Sequence, residues 1–306
     1  MYVRLLGTAA GGGFPQWNCN CRNCRGVRAG TVQARPRTQS CVAISADGSR
    51  WFLLNASPDI HIQIESFPVL LPSPETVRGT GLEGILLTNA DLDHTLGLLI
   101  LREGFRLPVH AASRVRRALT DGLALAHTLE RYCGINWHEP PAELQPLLHA
   151  DHSLSGLSYS AFPVAGKPPR YLEGPVSPGA GDVVAYRIVD ETTGGRLLFM
   201  PDVAALDEST LTQVRDCDTL LLDGTFWSEH EMQLMGVGST SAREMGHLPV
   251  GGPDGSLARI APLPIPHKIY VHINNTNPIL IEGSPERAAV ESAGVTVGWD
   301  GLEFSL

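Results

Sequence analysis

Leu86-Leu87-Thr88-Asn89-Ala90-Asp91-Leu92-Asp93-His94 is an apolar run that stops in polar residues at alternate positions. In an extended chain Asn89, Asp91 and Asp93 point to one side, and His94 follows the last of them. A buried strand ending in oxygen and nitrogen donors is a common mount for a metal site in layered α/β folds, because the strand end is rigid and opens on a cleft. The same residues also suit an exposed strand-to-helix loop with Asp93 as N-cap. Taken alone, the stretch leaves both readings open.

Reading outward, strands alternate with helices. Tyr2 to Leu6 is a first strand, and it runs into Gly7-Thr8-Ala9-Ala10-Gly11-Gly12-Gly13. That loop lacks the Gly-Lys-Ser/Thr of a phosphate loop and the spacing of a dinucleotide fingerprint. Ser40 to Ser45 and Arg50 to Leu54 flank Asp47-Gly48 as a hairpin, and Val183 to Ile188 and Arg196 to Met200 flank Gly194-Gly195 as another. Gly84 to Thr88, Thr219 to Leu222 and Lys268 to His272 read as further strands. Ser113 to Leu125 and Leu206 to Arg215 read as helices. A third helix opens at Ser284-Pro285-Glu286 and closes at Gly294. Two hairpin-rich halves, each followed by β-α units, predict two sheets packed face to face with helices outside.

Three more apolar strands stop at polar residues: Met200-Pro201-Asp202, Leu221-Leu222-Asp223-Gly224-Thr225 and Val271-His272-Ile273-Asn274-Asn275. One such ending is ordinary. Four in one chain, offering Asp93, His94, Asp202 and His272, favour a shared metal site.

Composition narrows the function classes. The chain has 306 residues, 43% of them hydrophobic, enough for one large core or two modest ones. A net charge of -9 with no basic tract argues against nucleic-acid binding. No apolar run reaches 18 residues, and glycines interrupt the N-terminal region where a signal peptide would be apolar. A cytoplasmic protein without a membrane segment is therefore expected. Three of the six cysteines crowd into Cys19-Asn20-Cys21-Arg22-Asn23-Cys24, whereas Cys41, Cys133 and Cys217 are isolated. A secreted disulfide framework spreads its cysteines more evenly. Three thiols in six residues suit one tetrahedral structural Zn2+ with a distant fourth ligand, a site expected to clamp the Gly-rich loop and Trp17.

The order of a Gly-rich start, Asp-x-Asp-His at a strand end, Asp202 after a hairpin strand and a late His272 resembles the metallo-β-lactamase superfamily. Gly7 to Cys21, Asp223-Gly224-Thr225-Phe226-Trp227, Met245-Gly246-His247-Leu248-Pro249 and His272-Ile273-Asn274-Asn275-Thr276-Asn277-Pro278 resemble the pyrroloquinoline quinone (PQQ) biosynthesis protein B family within it. The resemblance spans essentially the whole chain. It implies one domain over 1–306, an α/β four-layer αββα sandwich of two mixed sheets with helices outside.

It also exposes a departure. The superfamily's usual first motif reads His-x-His-x-Asp-His, and Asn89 and Asp91 stand here in place of its first two histidines. The mid-chain stretch Phe162-Pro163-Val164-Ala165-Gly166-Lys167 offers no third. Asp93, His94, Asp202 and His272 keep the second metal position, with Asp91 as a further oxygen ligand or a partner for bound water. A two-metal hydrolytic clamp then lacks half its imidazoles. Two histidines with one or two carboxylates and open positions favour non-haem Fe2+, and imidazole also suits Zn2+. His247 is the expected proton-transferring or substrate-orienting group, and Asp202 completes or orients the set. Related phosphodiesterases carry a His where Asn275 stands, so Asn275 is the candidate fourth ligand for Cys19, Cys21 and Cys24, with Cys41 as the alternative.

The function implied by the resemblance is a step in making PQQ, a redox cofactor built from a Glu and a Tyr of a precursor peptide. Iron-dependent hydroxylation of the tyrosine ring is the favoured chemistry. A carrier that holds PQQ or its precursor and assists its transport to the periplasm is an alternative, as is a zinc-dependent hydrolase. Expected partners are a small-molecule or peptide-derived precursor and other PQQ biosynthesis proteins, with a homodimer as one open arrangement.

Overall fold

The strand endings all gather at one end of a two-sheet sandwich. The structure, a computed structural model, describes residues 1–174 and 176–306. The first sheet has the order β14 (Glu303–Ser305), β1 (Tyr2–Gly7), β2 (Cys41–Ser45), β3 (Trp51–Leu54), β4 (Leu82–Leu87), β5 (Leu107–Ala111) and β6 (Ile135–His138). The second has the order β13 (Thr296–Val297), β12 (His267–Val271), β11 (Thr219–Asp223), β10 (Arg196–Met200), β9 (Val184–Asp190), β8 (Leu154–Pro163) and β7 (Gln145–Leu148). Both are mixed. β3 to β6 run parallel, as do β10 to β13, and the hairpins β2–β3 and β9–β10 are antiparallel.

Three apolar layers account for this stacking. Val42, Phe52 and Leu86 meet Tyr186, Phe199 and Leu221 between the sheets. Leu53, Ile85 and Val109 face outward onto Ile60, Leu98 and Leu119. Leu220, Leu222 and Tyr270 face the other way, onto Leu211, Ile260 and Val290. Successive strand residues therefore enter different layers, which is why Leu220-Leu221-Leu222 is unbroken hydrophobe rather than alternating. Each fully buried side chain of this size contributes about 1.5–3 kcal/mol. The two-sheet sandwich with helices outside is the metallo-β-lactamase architecture.

The expected strands and both hairpins form within a residue or two of their predicted limits, while β5 to β8, β13 and β14 go beyond the sequence reading. The helix expected over 113–125 is instead broken. Ser113–Arg117 is α-helical, Ala118–Gly122 widens into a π turn, and Ala124 takes φ 55° before a new helix, Leu125–Leu129. The helix expected over 206–215 is shorter, Glu208–Val214, because Asp207 caps it by accepting from Thr210 N at 2.7 Å. Ser284 caps the last helix, Pro285–Ser292, as its sequence predicts. No helix among the described residues is long and apolar enough to cross a membrane.

Candidate metal centre

Parallel strands β4, β10, β11 and β12 deliver their C-terminal ends to one crevice, the usual ligand position in open α/β sheets. Beyond β4 the chain does not stay extended. It coils into a single turn, Leu92–Thr95, with Asp91 rather than Asp93 at the N-cap and no side-chain cap bond. The alternation of Asn89, Asp91 and Asp93 is thereby lost. The turn is fixed from below, where Ala56 N donates to His94 O (2.8 Å) and Gly97 N to Ala56 O (2.9 Å). A Cβ on Gly97 would stand 2.5 Å from Ser57 O, so only glycine allows this approach. The Gly-rich loop closes the other side, with Gly11 packed on the Asp93 carboxylate.

Asp93, His94 and His272 bring one ligand atom each within 4.8 Å of one another. His272 Nε2 lies 3.1 Å from Asp93 Oδ2. His94 Nε2 is buried and has no hydrogen-bond partner among the described residues. Burial pushes the His94 imidazole below its ordinary range. Burial also opposes charge on His272, but the carboxylates of Asp202, Asp93 and Asp223 outweigh it and lift this imidazole to about 10. A lone buried imidazole nitrogen beside a nitrogen–carboxylate pair that holds a proton is the donor set a divalent cation would occupy. The residues fit a metal.

A second group adjoins it, again with one ligand atom from each residue within 4.8 Å: Asp202, His247 and His272. Asp202 Oδ1 lies 3.5 Å from His272 Nδ1 and 3.6 Å from His247 Nδ1, and Oδ2 lies 3.3 Å from His94 Nδ1. Asp202 thus stands among the rings of three histidines, grouped with His247 rather than with Asp93 and His94. His247 Nδ1 bonds Asp223 Oδ2 (2.8 Å), and Thr225 Oγ1 links Asp223 Oδ1 (2.6 Å) to His272 Nδ1 (2.8 Å). One buried carboxylate therefore orients two imidazoles, one directly and one through a hydroxyl. Burial works against ionising Asp223, yet His247 and His272 hold it below the usual carboxylate range. The same carboxylate raises His247 against its own burial. Sequence reasoning marked the Asp223 strand end but assigned no role to Asp223 or Thr225; the signal was the apolar strand that ends in a carboxylate.

Asp91 stands beside these groups, not within them. Burial and the charges of Asp93 and Asp202 push its carboxyl up to about 7. Tyr171 closes over the same loop, donating to Ala90 O at 2.9 Å.

The cysteine cluster forms as the spacing suggests. Cys19, Cys21 and Cys24 converge, and Asn275 directs its side-chain amide at all three sulfurs, 3.2, 3.6 and 3.3 Å from Nδ2. Asn23 Nδ2 reaches the carbonyls of Asn275, Thr276 and Asn277 at 3.0–3.2 Å and ties this loop to the cysteine helix, Arg22–Ala29. Three thiols facing one amide suit a thiophilic ion such as Zn2+. Two expectations fail here. Cys41 lies outside the cluster, within β2, where its thiol donates to Asn55 O at 3.2 Å. Trp17 is not clamped but 84% exposed, because the contacts that hold its loop come from Arg28 to the carbonyls of Gln16 and Cys19.

With this geometry in hand, comparison with known proteins is informative. The β-lactamase superfamily domain model matches residues 50–273. Coenzyme PQQ synthesis protein B of Pseudomonas paraeruginosa is 44% identical over 306 residues, covering all of both chains. The protein of that name from Cupriavidus necator is 43% identical over 305 residues, 99% of each. The crystal structure of Zn(2+)-bound PqqB from Methylobacterium extorquens superposes with a TM-score of 0.90 at 40% identity, covering all of both chains. Its bound zinc agrees with the donor sets described above in supporting a metal cofactor. The strand-end donors, the thiol cluster and these full-length similarities lead to one conclusion: the chain belongs to the coenzyme PQQ synthesis protein B family of the β-lactamase superfamily.

Proposed function

We propose that this chain serves PQQ biosynthesis in the cytoplasm as a metal-dependent oxygenase that hydroxylates the tyrosine ring of a Glu-Tyr-derived precursor. The observation that supports it is the donor set: one carboxylate and two imidazoles, Asp93, His94 and His272, at a single position. Asn89 and Asp91 stand where imidazoles would build a second position. Fe2+ held by such a set would supply the binding and activation of dioxygen that ring hydroxylation requires.

The remaining residues act around that position. Asp202 keeps the three imidazoles in register. His247, its Nδ1–H committed to Asp223, keeps its other nitrogen for orienting the substrate phenol. Asp91, with its carboxyl near neutrality, is suited to accept or return a proton at the mouth of the site. Cys19, Cys21, Cys24 and Asn275 hold a structural Zn2+ that keeps the 272–277 loop in place.

Anaerobic loading with Fe2+, followed by oxygen, a two-electron reductant such as ascorbate and a Glu-Tyr substrate, is expected to yield a hydroxylated product by mass spectrometry, with the second oxygen atom released as water. Metal-loaded protein that gives no product under these conditions overturns the oxygenase reading. If His94→Ala and His272→Ala variants still support PQQ production in cells, a carrier role replaces it.

A further inference from the structure

Asn89 is the residue that departs most visibly from the superfamily motif, and every polar atom of its side chain is in use. The backbone N–H of Asp91 donates to Asn89 Oδ1 at 3.0 Å, and the Asn89 amide nitrogen lies 2.7 Å from Asp202 Oδ2. A backbone N–H can only donate and a carboxylate can only accept, so the orientation of the amide is determined by its neighbours. Oδ1 must face Asp91, and Nδ2 must face Asp202.

That orientation dictates the state of the next residue. His94 Nδ1 lies 3.0 Å from the same Oδ1, an acceptor, and 3.3 Å from Asp202 Oδ2, another acceptor. Thr88 Oγ1, 3.4 Å away, gives its hydrogen to Asn55 Oδ1 at 3.1 Å, so Nδ1 carries the proton. A neutral imidazole has only one, which leaves Nε2 with a bare lone pair. Nε2 is a buried atom that finds no partner among the described residues.

We propose that Asn89 is the positioning residue of the metal centre: it locks His94 as the Nδ1–H tautomer and ties Asp202 to the same carbonyl–amide unit. In doing so it spends both lone pairs of its own carbonyl, one on Asp91 N–H and one on His94 Nδ1–H, and so cannot itself ligate. A single substitution thus removes a ligand from one metal position and directs a ligand into the other. The inference rests on the reading that Asp93, His94 and His272 hold the metal, but it does not depend on which reaction follows.

The test uses metal-free, 15N-histidine-labelled full-length protein, with the His94 ring signals identified by their loss in His94→Ala. The ring-nitrogen shifts are expected to show His94 as Nδ1–H in the unaltered protein. Asn89→Ala is expected to mix the tautomers and to weaken Zn2+ binding at the Asp93–His94–His272 position about 10- to 100-fold in a chelator competition. Asn89→Asp keeps the acceptor but replaces the donor to Asp202 by a second carboxylate oxygen; it is expected to restore the Nδ1–H tautomer without the tie to Asp202, a split that a merely space-filling role would not give. An Nε2–H tautomer in the unaltered protein overturns the proposal, and so does Asn89→Ala with unchanged tautomer and Zn2+ affinity. Should Asn89→Ala fail to fold, the tautomer of the unaltered protein and of Asn89→Asp decides the matter. Failure of hydroxylation with the tautomer as expected would count against the oxygenase reading alone.

Discussion

Asp223 closes the run Leu220-Leu221-Leu222 with a fully buried carboxylate that reaches His247 directly and His272 through Thr225. Replacing it by Asn keeps the shape but removes the charge that raises His247. Asp223→Asn is expected to lower turnover about 10- to 100-fold while metal content is retained, as for other residues that orient ligands from behind. Steady-state kinetics beside elemental analysis checks this. His94→Ala acts on the metal itself. It is expected to reduce the metal content by one ion per chain and to leave the ion proposed for Cys19, Cys21 and Cys24, because Asn275 and Asn23 hold that cluster without help from His94. Loss of both ions in the variant would show the two sites to be one cooperative unit.

Among the elements, the β2–β3 hairpin carries a pH-dependent contribution. Asp47 Oδ1 accepts from Ser49 N (2.8 Å), Arg50 N (2.9 Å) and Ser45 Oγ (3.0 Å). Burial opposes its charge, but these donors together outweigh it and draw its carboxyl down to about 2. A carboxyl depressed in the folded state stabilises above its unfolded pKa of about 4, and that contribution fades as pH falls towards 2. Asp47→Ala is expected to lose about 1 kcal/mol at pH 7, a small figure because the group is exposed. The gap between variant and unaltered protein should close below pH 3, as thermal melts at a series of pH values would show. The helix Glu208–Val214 depends similarly on one side chain. Asp207→Ala removes its cap and is expected to lower the midpoint of a denaturant titration.

For the molecule as a whole, the layer between the sheets joins its two halves. Phe199 is fully buried there among Tyr186, Leu221 and the strands of the facing sheet. Phe199→Ala is expected to cost about 3–5 kcal/mol in denaturant titration, a large share of the 5–15 kcal/mol typical of a folded protein. The sandwich is also closed by its own ends: β14 pairs with β1, and the N-terminal amine donates to Leu306 O at 2.7 Å and pairs with Asp190. The donor groups at one rim are thus carried by a frame that draws on the chain from Tyr2 to Ser305.

What the sequence determined by itself was local in origin. Apolar runs that end in Asp or His marked the strand ends, and three thiols in six residues marked the second cluster. Capping residues marked Ser284, and long motif blocks marked the family. These signals lie within a few residues of one another, so composition and spacing carry them. Tertiary structure decided which of those ends meet and in what role. Asn89 and Asp202 are 113 residues apart, and Asp93 and His272 are 179 apart. Nothing local says that Asp202 would sit among three imidazoles, that Asp223 would orient two of them, or that Cys41 would remain in its strand. Hydrogen bonds have direction, and direction is defined only once both partners are placed. The opening stretch shows the division most clearly: its letters left a metal site and a helix cap both open, and only the fold turned Asn89 from a missing ligand into the group that aims His94.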